Sequence, residues 1–361
     1  MGIISVRNEH YLASASISHA LLNVCDEVCV LIHDSDQAFE IEIQKLSKIW
    51  PSRIHIFYLK EYEFQQRIAV HIIRFLMKNK EFDWLYVFDA DEFAIKSQNF
   101  SISDYLSKVS PEILSVRYEI ENWVSNHDFQ IESLESFENI SYVSIPNLEL
   151  GSDIEHLKYK IIEGEINFFE LPSISKIFFR NGAKNYLGAG AHNLEGSDSS
   201  FEINIDSNLF SVAHLPFLTR ERINLRAQHG RNLILAGFPE SHGWHEKIFS
   251  ELDDKGGLDN FWIRHSMDVG KDELAIQSPA VLKSSRFSIA IQPTVISMKL
   301  NDARTINFDE TVNQKYDISD LFKYHKYLSD FAPNRESVLN HLKCKILEPF
   351  RNLKDKFSRF I

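Results

Sequence analysis

Residues 83–93 read DWLYVFDADEF, and in this stretch a run of five apolar or aromatic residues is followed at once by acids. The run, residues 84–88, indicates a buried β-strand, and Asp89, Asp91 and Glu92 stand where that strand ends. Like charges this close repel one another unless a cation lies between them. The stretch therefore predicts a sheet whose edge binds a cation.

The first 120 residues alternate short apolar runs with helix-like segments. The runs are GIISV, EVCVLIH, RIHIFYL and WLYVF, with EILSVRYEI as a fifth, and helical periodicity covers residues 10–23, 37–50 and 62–80. This alternation predicts βαβ units, hence an α/β fold with a mostly parallel, twisted sheet and helices on both faces. Ligands of such sheets bind outside the carboxyl ends of the strands, where Asp89 and Asp91 are expected to lie.

The composition indicates a folded, cytoplasmic protein. A length of 361 residues suits one large or two modest domains, and the net charge of -12 argues against nucleic-acid binding. The three cysteines (Cys25, Cys29 and Cys344) are too few for a disulfide framework and indicate reduced thiols. We find no signal-peptide pattern and no apolar run of about 18 residues, so we expect neither secretion nor a transmembrane helix.

The second half of the chain is less regular. Residues 121–174 are polar and acidic, residues 175–230 regain short strands and turns, and the tail from Asp320 onward is helical in character. We therefore expect a catalytic domain over residues 1–230 and a C-terminal extension, mixed and then helical, over residues 231–361.

The end of this extension is basic. Residues 341–361 carry six lysines or arginines against two acids, and the phenylalanines after Pro349 share one helical face. Two interpretations are open. The terminal helix docks on the acidic body of the protein, or residues 349–361 contact an anionic membrane surface as an interfacial helix.

The spacing of Asp89 and Asp91 allows the two to act together. Side chains alternate along a strand, so both carboxylates can point to the same side where the strand ends. Such a pair makes a hard oxygen site for Mg²⁺ or Mn²⁺, which keeps water and binds substrate phosphates. A solvated turn at the strand end is the alternative interpretation.

The stretch WLYVFDADEF resembles the Asp-x-Asp segment of GT-A glycosyltransferases, especially the family 2-like group whose motif reads Asp-x-Asp-Glu-Phe. SVRNEHYLASASISHAL is similar to that group's first strand and turn, and VLIHDSDQ to its second strand end. SKIFFRN, AGAHN and VAHLPFLTRERINLRA resemble downstream stretches with a lysine and two histidines, so the likeness spans residues 2–230 in order. It departs after His214, where the group often has an Arg-Ser pair and this chain has Leu218 and Thr219.

The resemblance implies a GT-A fold and a role for each matched position. The implied nucleotide-binding set is Val6, Arg7, Asn8, Glu9, Asp34, Asp36, Asp89, Ala90 and Lys176, with Arg180 as a further basic group facing the diphosphate. The implied ligands of Mn²⁺ or Mg²⁺ are Asp89, Asp91 and one of two histidines, His192 or His214.

An inverting sugar transfer also needs a carboxylate that deprotonates the acceptor hydroxyl. Glu119, Glu121 and Asp128 stand at or just after the fifth strand and are the candidates. Alternation puts Glu119 and Glu121 on one side of the strand. Glu121 is preferred because Trp123 beside it can stack on a sugar ring.

Together these patterns predict a metal-dependent glycosyltransferase that moves a sugar from a nucleotide-diphosphate sugar, a UDP-sugar in the first instance, to a glycan or lipid-linked acceptor. The setting that fits is synthesis of bacterial surface polysaccharide or lipopolysaccharide in the cytoplasm, at the inner face of the cell membrane. One alternative is a sugar-1-phosphate nucleotidyltransferase, which is disfavoured because no glycine-rich phosphate loop with an arginine and a lysine follows the first strand. The other is a non-catalytic binding module, against which the intact acid pair argues.

Overall fold

The computed structural model describes residues 1–60, 66–78, 80–131, 134–149, 154–182, 187–235, 237, 243–268, 273–274, 281–302, 315–319 and 323. The strands are β1 (Gly2–Val6), β2 (Val28–His33), β3 (Ile54–Leu59), β4 (Trp84–Phe88), β5 (Glu92–Lys96), β6 (Ser115–Val124), β7 (Tyr142–Ser144), β8 (Lys176–Arg180), β9 (Glu202–Asn204), β10 (Phe210–His214), β11 (Met267–Asp268), β12 (Glu273–Leu274), β13 (Val281–Lys283) and β14 (Lys315–Asp317). The α-helices are α1 (Leu12–Asn23), α2 (Gln37–Ile49), α3 (Gln66–Leu76), α4 (Ile102–Ser107), α5 (Ile154–Glu163), α6 (Arg220–Leu235), α7 (Trp244–Asp254), α8 (Leu258–Arg264) and α9 (Arg286–Asp302). Short 3₁₀ turns lie at Leu134–Asn139, Phe168–Glu170, Ala189–Ala191 and Ser199–Phe201. The predicted α/β fold is confirmed.

The sheet is parallel at its centre and mixed beyond it. Strands β14, β3, β2, β1 and β4 pair in that order and are all parallel. Strand β8 lies antiparallel between β4 and β6, so β6 runs in the same direction as β4. Strand β10 pairs parallel with β6 and antiparallel with β5. The strands β1, β2, β4, β6 and β10 therefore all end at one edge of the sheet.

Alternate residues of the central strands bury opposite faces of the sheet, as the continuous apolar runs predict. Ile4 and Val30 pack with α1 and α2 on one face, whereas Ile3 and Leu31 pack with α3 on the other. Each such side chain contributes roughly 1.5–3 kcal/mol by leaving water. Among the described residues, helices cover both faces of these central strands, and the strand ends are the expected place for a ligand.

Segments after residue 230 complete the body of the protein. The predicted domain boundary between residues 230 and 231 falls inside helix α6, strand β13 pairs with β7, and β14 pairs with β3. On helix α9, the Phe287 ring lies 5.6 Å from the ring of Phe93 and 5.6 Å from that of Trp123. Residues 1–230 thus share their sheet and their core with later parts of the chain.

The predicted basic tail lies outside the described residues. This applies to residues 341–361, including the proposed membrane contact at 349–361 and Cys344. In the part of the chain that the structure describes, none of the helices combines the length and the apolar character needed to cross a membrane.

Candidate functional site

The acids of the opening stretch lie in a tight turn. Strand β4 ends at Phe88, and the chain reverses through residues 89–91 directly into β5. The backbone N–H of Asp89 donates to Glu92 Oε2 at 3.1 Å and closes the turn. Ala90 and Asp91 are buried within it, whereas the Asp89 side chain is 48% exposed. Strand β5 is not predicted from the sequence, and Glu92, its first residue, is buried with its carboxylate inside the protein.

Lys176 supplies one of the cations that these acids require. It is the first residue of β8, next to β4, and its Nζ lies 2.8 Å from Asp89 Oδ2 and 2.6 Å from Glu92 Oε1. Its side chain is only 4% exposed. Burial raises the pKa of Glu92 to about 7, an effect that Lys176 opposes. Burial alone would lower the pKa of Lys176, but Asp89 and Glu92 hold it above its ordinary value, so Lys176 stays protonated.

Arg222, which is not among the site residues predicted from the sequence, supplies the second cation. Its Nη1 lies 3.0 Å from Asp91 Oδ2, while Nε and Nη2 donate to the two carboxylate oxygens of Glu9 at 3.1 and 3.0 Å. Burial would raise the pKa of Asp91, but Arg222 holds that pKa well below its usual range. Asp91 is therefore ionised at neutral pH.

The start of helix α6 explains why Arg222 faces the strand ends. The backbone N–H of Arg222 donates to Thr219 Oγ1 at 3.1 Å, which places Thr219 as a cap in front of the helix. The sequence feature that could have indicated Arg222 is the run TRERINLRA, which lies where the chain departs from the family pattern. An arginine in the first turn after a capping threonine was visible there, but its partner acids were not.

The two histidines that the resemblance singles out are both oriented by hydrogen bonds at Nδ1. His214 Nδ1 lies 2.8 Å from Asn122 Oδ1, an acceptor, so this nitrogen carries the proton and Nε2 presents a lone pair 3.9 Å from Asp91 Oδ2. His192 Nδ1 likewise donates to the Ser175 carbonyl at 3.0 Å, beside the start of β8. Burial lowers the pKa of His214 to about 4 and also lowers the pKa of His192. Both rings are neutral at pH 7, the form that binds metal ions.

The ends of β1 and β2 bring the other predicted nucleotide-binding residues together. Arg7 Nη2 donates to Asp34 Oδ2 at 2.8 Å, and the backbone N–H of Asp36 donates to Asn8 Oδ1 at 2.9 Å. Asn8 and Asp34 adopt φ angles of 52° and 41°, in the left-handed region that Asn and Asp tolerate best among non-glycine residues. Asp36 caps helix α2 by accepting from the Phe39 N–H at 2.8 Å. These turns are open to solvent and face the edge where the parallel strands end.

One edge of the sheet therefore gathers the nucleotide-binding and metal-binding sets that were predicted. The residues at or beside this edge are Val6, Arg7, Asn8, Glu9, Asp34, Asp36, Asp89, Ala90, Asp91, Lys176, His192 and His214. We call it the carboxyl edge. Three cations, Arg7, Lys176 and Arg222, form ion pairs with its acids.

Arg180 lies at the other end of β8, and the expectation that it faces a diphosphate is wrong. Its guanidinium stacks over the Trp84 ring at 4.4 Å and donates to the Ile113 carbonyl at 2.6 Å. Trp84 is the first residue of β4, so Arg180 belongs to the opposite edge of the sheet.

Of the predicted catalytic acids, Glu121 does not face the candidate site. In the pairing of β6 with β10, Glu121 stands opposite Ala213 and Asn122 opposite His214, so Glu121 faces away from His214. Arg286 Nη1 holds the Glu121 carboxylate at 3.0 Å.

Two further expectations about β6 are affected. Trp123 is 1% exposed and packs on Phe287, so the expectation that it stacks on a sugar is wrong. Glu119 is exposed on the same side of β6 as Glu121, and Asp128 is exposed after the end of β6.

The donor set of the carboxyl edge fits an ion such as Mg²⁺ or Mn²⁺ that retains water. The ion pairs of Asp89 and Asp91 each use Oδ2, and Mg²⁺ in particular is often held by only one or two carboxylates together with substrate phosphates. Within the described ranges, no group of three or more His, Cys, Asp or Glu side chains is placed to hold a metal ion. Water or phosphate oxygens would have to complete the coordination. The assignments of Asp89, Asp91, His192 and His214 as metal ligands stay predictions.

No protein-family model matches the chain, and no curated protein matches it. Similar solved structures include TarS of S. aureus, with 11% identity and a TM-score of 0.29, over 70% of this chain and 42% of that one. The mannosyltransferase PcManGT from Pyrobaculum calidifontis, in complex with GDP-Man and Mn²⁺, has 12% identity and a TM-score of 0.30 over 72% of each chain. A protein described as a glucose-1-phosphate thymidylyltransferase from Bacillus anthracis has 10% identity and a TM-score of 0.27, over 86% of this chain and 97% of that one. Similarity this low leaves the function to be argued from the residues of the chain itself.

Proposed function

We propose that this chain is a glycosyltransferase whose donor is a nucleoside-diphosphate sugar. The observation that carries the proposal is the carboxyl edge, where Asp89 and Asp91 follow a buried parallel strand and lie beside the turns that end β1 and β2. In open α/β sheets, ligands bind at this place. The edge combines an acid pair for a cation with positive charge for a diphosphate.

The nucleoside is proposed to lie against the turns after β1 and β2. What supports this is the exposed Arg7–Asp34 pair and the neighbouring Asn8, whose conformation is fixed by its bond to Asp36. A planar guanidinium and exposed carboxylates provide donors and acceptors for a base and a ribose. The resemblance to the family 2-like group favours a UDP-sugar here.

The diphosphate is proposed to lie over the half-exposed Asp89. Lys176, protonated and buried beside it, lends positive charge to that side of the edge. Asp89 and Asp91 would hold a Mg²⁺ or Mn²⁺ ion, with His214 Nε2 as the nearest imidazole lone pair. When bound, such an ion stabilises the negative charge that develops on the departing nucleoside diphosphate.

For an inverting transfer, Asp128 is the proposed general base. Its support is its place in the chain, because it is exposed just beyond the end of β6, the strand whose Asn122 contacts His214. Glu121, preferred from the sequence, is engaged by Arg286, and Glu119 shares its side of the strand. Asp128→Asn should therefore slow sugar transfer to an acceptor by about 100-fold or more, and Glu121→Gln should slow it less. If Glu121→Gln slowed the transfer more than Asp128→Asn, the role of general base would belong to Glu121.

A product-resolved assay tests the proposed function. The protein is incubated with a panel of UDP- and GDP-sugars with Mn²⁺ or Mg²⁺, and the released nucleotides are separated by ion-pair chromatography. We expect nucleoside diphosphate from one donor, lost in Asp89→Asn and retained in the control Asp259→Asn, whose carboxylate is 81% exposed and paired with Arg220. Formation of nucleoside triphosphate and sugar 1-phosphate when pyrophosphate is added, or of no product from any donor, would contradict the proposal. Glycan and lipid-linked acceptors of bacterial surface polysaccharides are the acceptors to try with that donor.

A further inference from the structure

Arg222 lies where a cation bound to Asp91 would be expected. Its side chain is 12% exposed, and its guanidinium bridges two carboxylates, with one N–H on Asp91 Oδ2 and a two-point contact to Glu9. The planar fork of an arginine suits such a bridge, and charge-assisted bonds of this kind are the strong ones. The pairing joins the turn after β1 to the turn after β4.

The charges around Arg222 leave the carboxyl edge only partly neutralised. Four carboxyl groups, from Glu9, Asp89, Asp91 and Glu92, face two cationic groups, from Lys176 and Arg222. The surplus is negative and attracts a divalent ion. A free ion that approaches Asp91 nevertheless meets the guanidinium at close range, and like charges a few ångströms apart repel strongly in a poorly solvated site.

We propose that Arg222 is the built-in counter-ion of Asp91 and that it excludes a free divalent ion until the ion arrives together with a diphosphate. The diphosphate brings oxygen ligands for the ion and negative charge for the guanidinium, and both remove the repulsion. The identity of this anion rests on the proposed function. The competition between Arg222 and a metal ion for Asp91 does not, since it involves residues of the chain alone.

Mn²⁺ by itself is the probe that tests the competition. Free Mn²⁺ is counted by electron paramagnetic resonance during titration of the wild type and of Arg222→Gln, without nucleotide. Because a positive charge close to the ion is removed, we expect Arg222→Gln to bind Mn²⁺ at least about tenfold more tightly than the wild type. The matched control is Arg220→Gln, which removes the same charge from the same helix at a partly exposed arginine paired with Asp259. Screening by solvent should keep its effect below about twofold.

Two further variants separate local charge from folding. Arg222→Lys keeps the cation and should bind Mn²⁺ as weakly as the wild type. In the double variant Glu9→Gln with Arg222→Gln, the net charge is unchanged and both members of the Glu9–Arg222 pair are neutral, while Asp91 keeps its carboxylate. It should still gain Mn²⁺ affinity, even if the single variant Arg222→Gln does not fold. Circular dichroism establishes which variants are folded.

The proposal is overturned if the folded variants without Arg222 bind Mn²⁺ no better than Arg220→Gln. It is also overturned if the wild type binds Mn²⁺ alone as tightly as they do. A separate titration with UDP present should strengthen Mn²⁺ binding by the wild type. If UDP and other nucleoside diphosphates leave it unchanged while Arg222→Gln still gains affinity, the proposed donor class fails and the competition at Asp91 stands.

Discussion

Protonation of His19 is expected to destabilise the protein in mild acid. His19 is buried in helix α1, and its ring joins three elements of the core. Nε2 lies 2.8 Å from the Ala94 carbonyl of β5, and Nδ1 lies 2.9 Å from Thr294 Oγ1 of α9. Because a carbonyl only accepts, Nε2 carries the proton and Nδ1 accepts from the threonine hydroxyl. With a second proton, Nδ1 could no longer accept from the hydroxyl, and a charge would be buried.

The size of the effect follows from linkage. Burial lowers the pKa of His19 from 6.5 to about 4 in the folded protein. The unfolded chain takes up the proton near pH 6.5, so this stabilisation is complete above that pH and is lost as the pH falls towards 4. A shift of this size corresponds to about 3 kcal/mol at most, and about 2–3 kcal/mol of it is lost by pH 4.5.

Urea unfolding of the wild type and of His19→Gln at pH 7.5 and 4.5 measures this contribution. The variant does not titrate at this position, so the difference in unfolding free energy between the two proteins should shrink by about 2–3 kcal/mol between those pH values. Ile289→Ala, at an exposed position of α9, removes no titratable group and is the control, so its difference from the wild type should stay constant. A constant difference for His19→Gln as well would refute the reasoning.

Two further variants test the packing of the site and of helix α9. Lys176→Met leaves Glu92 buried without its cation and should lower the unfolding free energy by about 3–5 kcal/mol. Adding Glu92→Gln should recover most of that loss. If the losses of the two single variants simply add in the double variant, the two residues are not coupled. Phe287→Ala opens a cavity against Phe93 and should also cost about 3–5 kcal/mol. Ile289→Ala, at an exposed position of the same helix, should stay within about 0.5 kcal/mol. Equal costs for the two α9 variants would mean that the helix does not dock as described.

The parallel half of the sheet was predictable because its signals are local. A buried strand is a continuous apolar run, and its flanking helices show a period of 3.6 residues, so neither depends on distant parts of the chain. Helix α9 gave no such signal, because Pro293 lies inside it and proline normally argues against a helix interior.

The site was predictable in its acids and not in its cations. Asp89 and Asp91 can be recognised in the sequence because they directly follow an apolar run. The hydrogen bond between Arg222 and Glu9, in contrast, joins residues 213 positions apart in the sequence. Strand β5 was missed for a related reason. Its first residue is Glu92, and a carboxylate becomes an acceptable buried residue only because Lys176 arrives from β8.

The sequence also did not predict which side of strand β6 faces the site. Alternation correctly placed Glu119 and Glu121 on one side of the strand, since both positions pair with β10 residues on that side. Alternation does not say which side faces the ligand, because that depends on the pairing with β10. The pairing sets Asn122, not Glu121, beside His214.

The location of a bound nucleotide tests the central claim most directly. A crystal structure with the donor selected by the product assay should show the nucleoside beside Arg7 and Asp34 and the diphosphate beside Lys176, at the carboxyl edge. A surface cavity of about 660 Å³ at the opposite edge of the sheet, lined in part by Asn99 and Lys108, is the natural competing location. A nucleotide bound in that cavity, with the carboxyl edge left unchanged, would contradict the account.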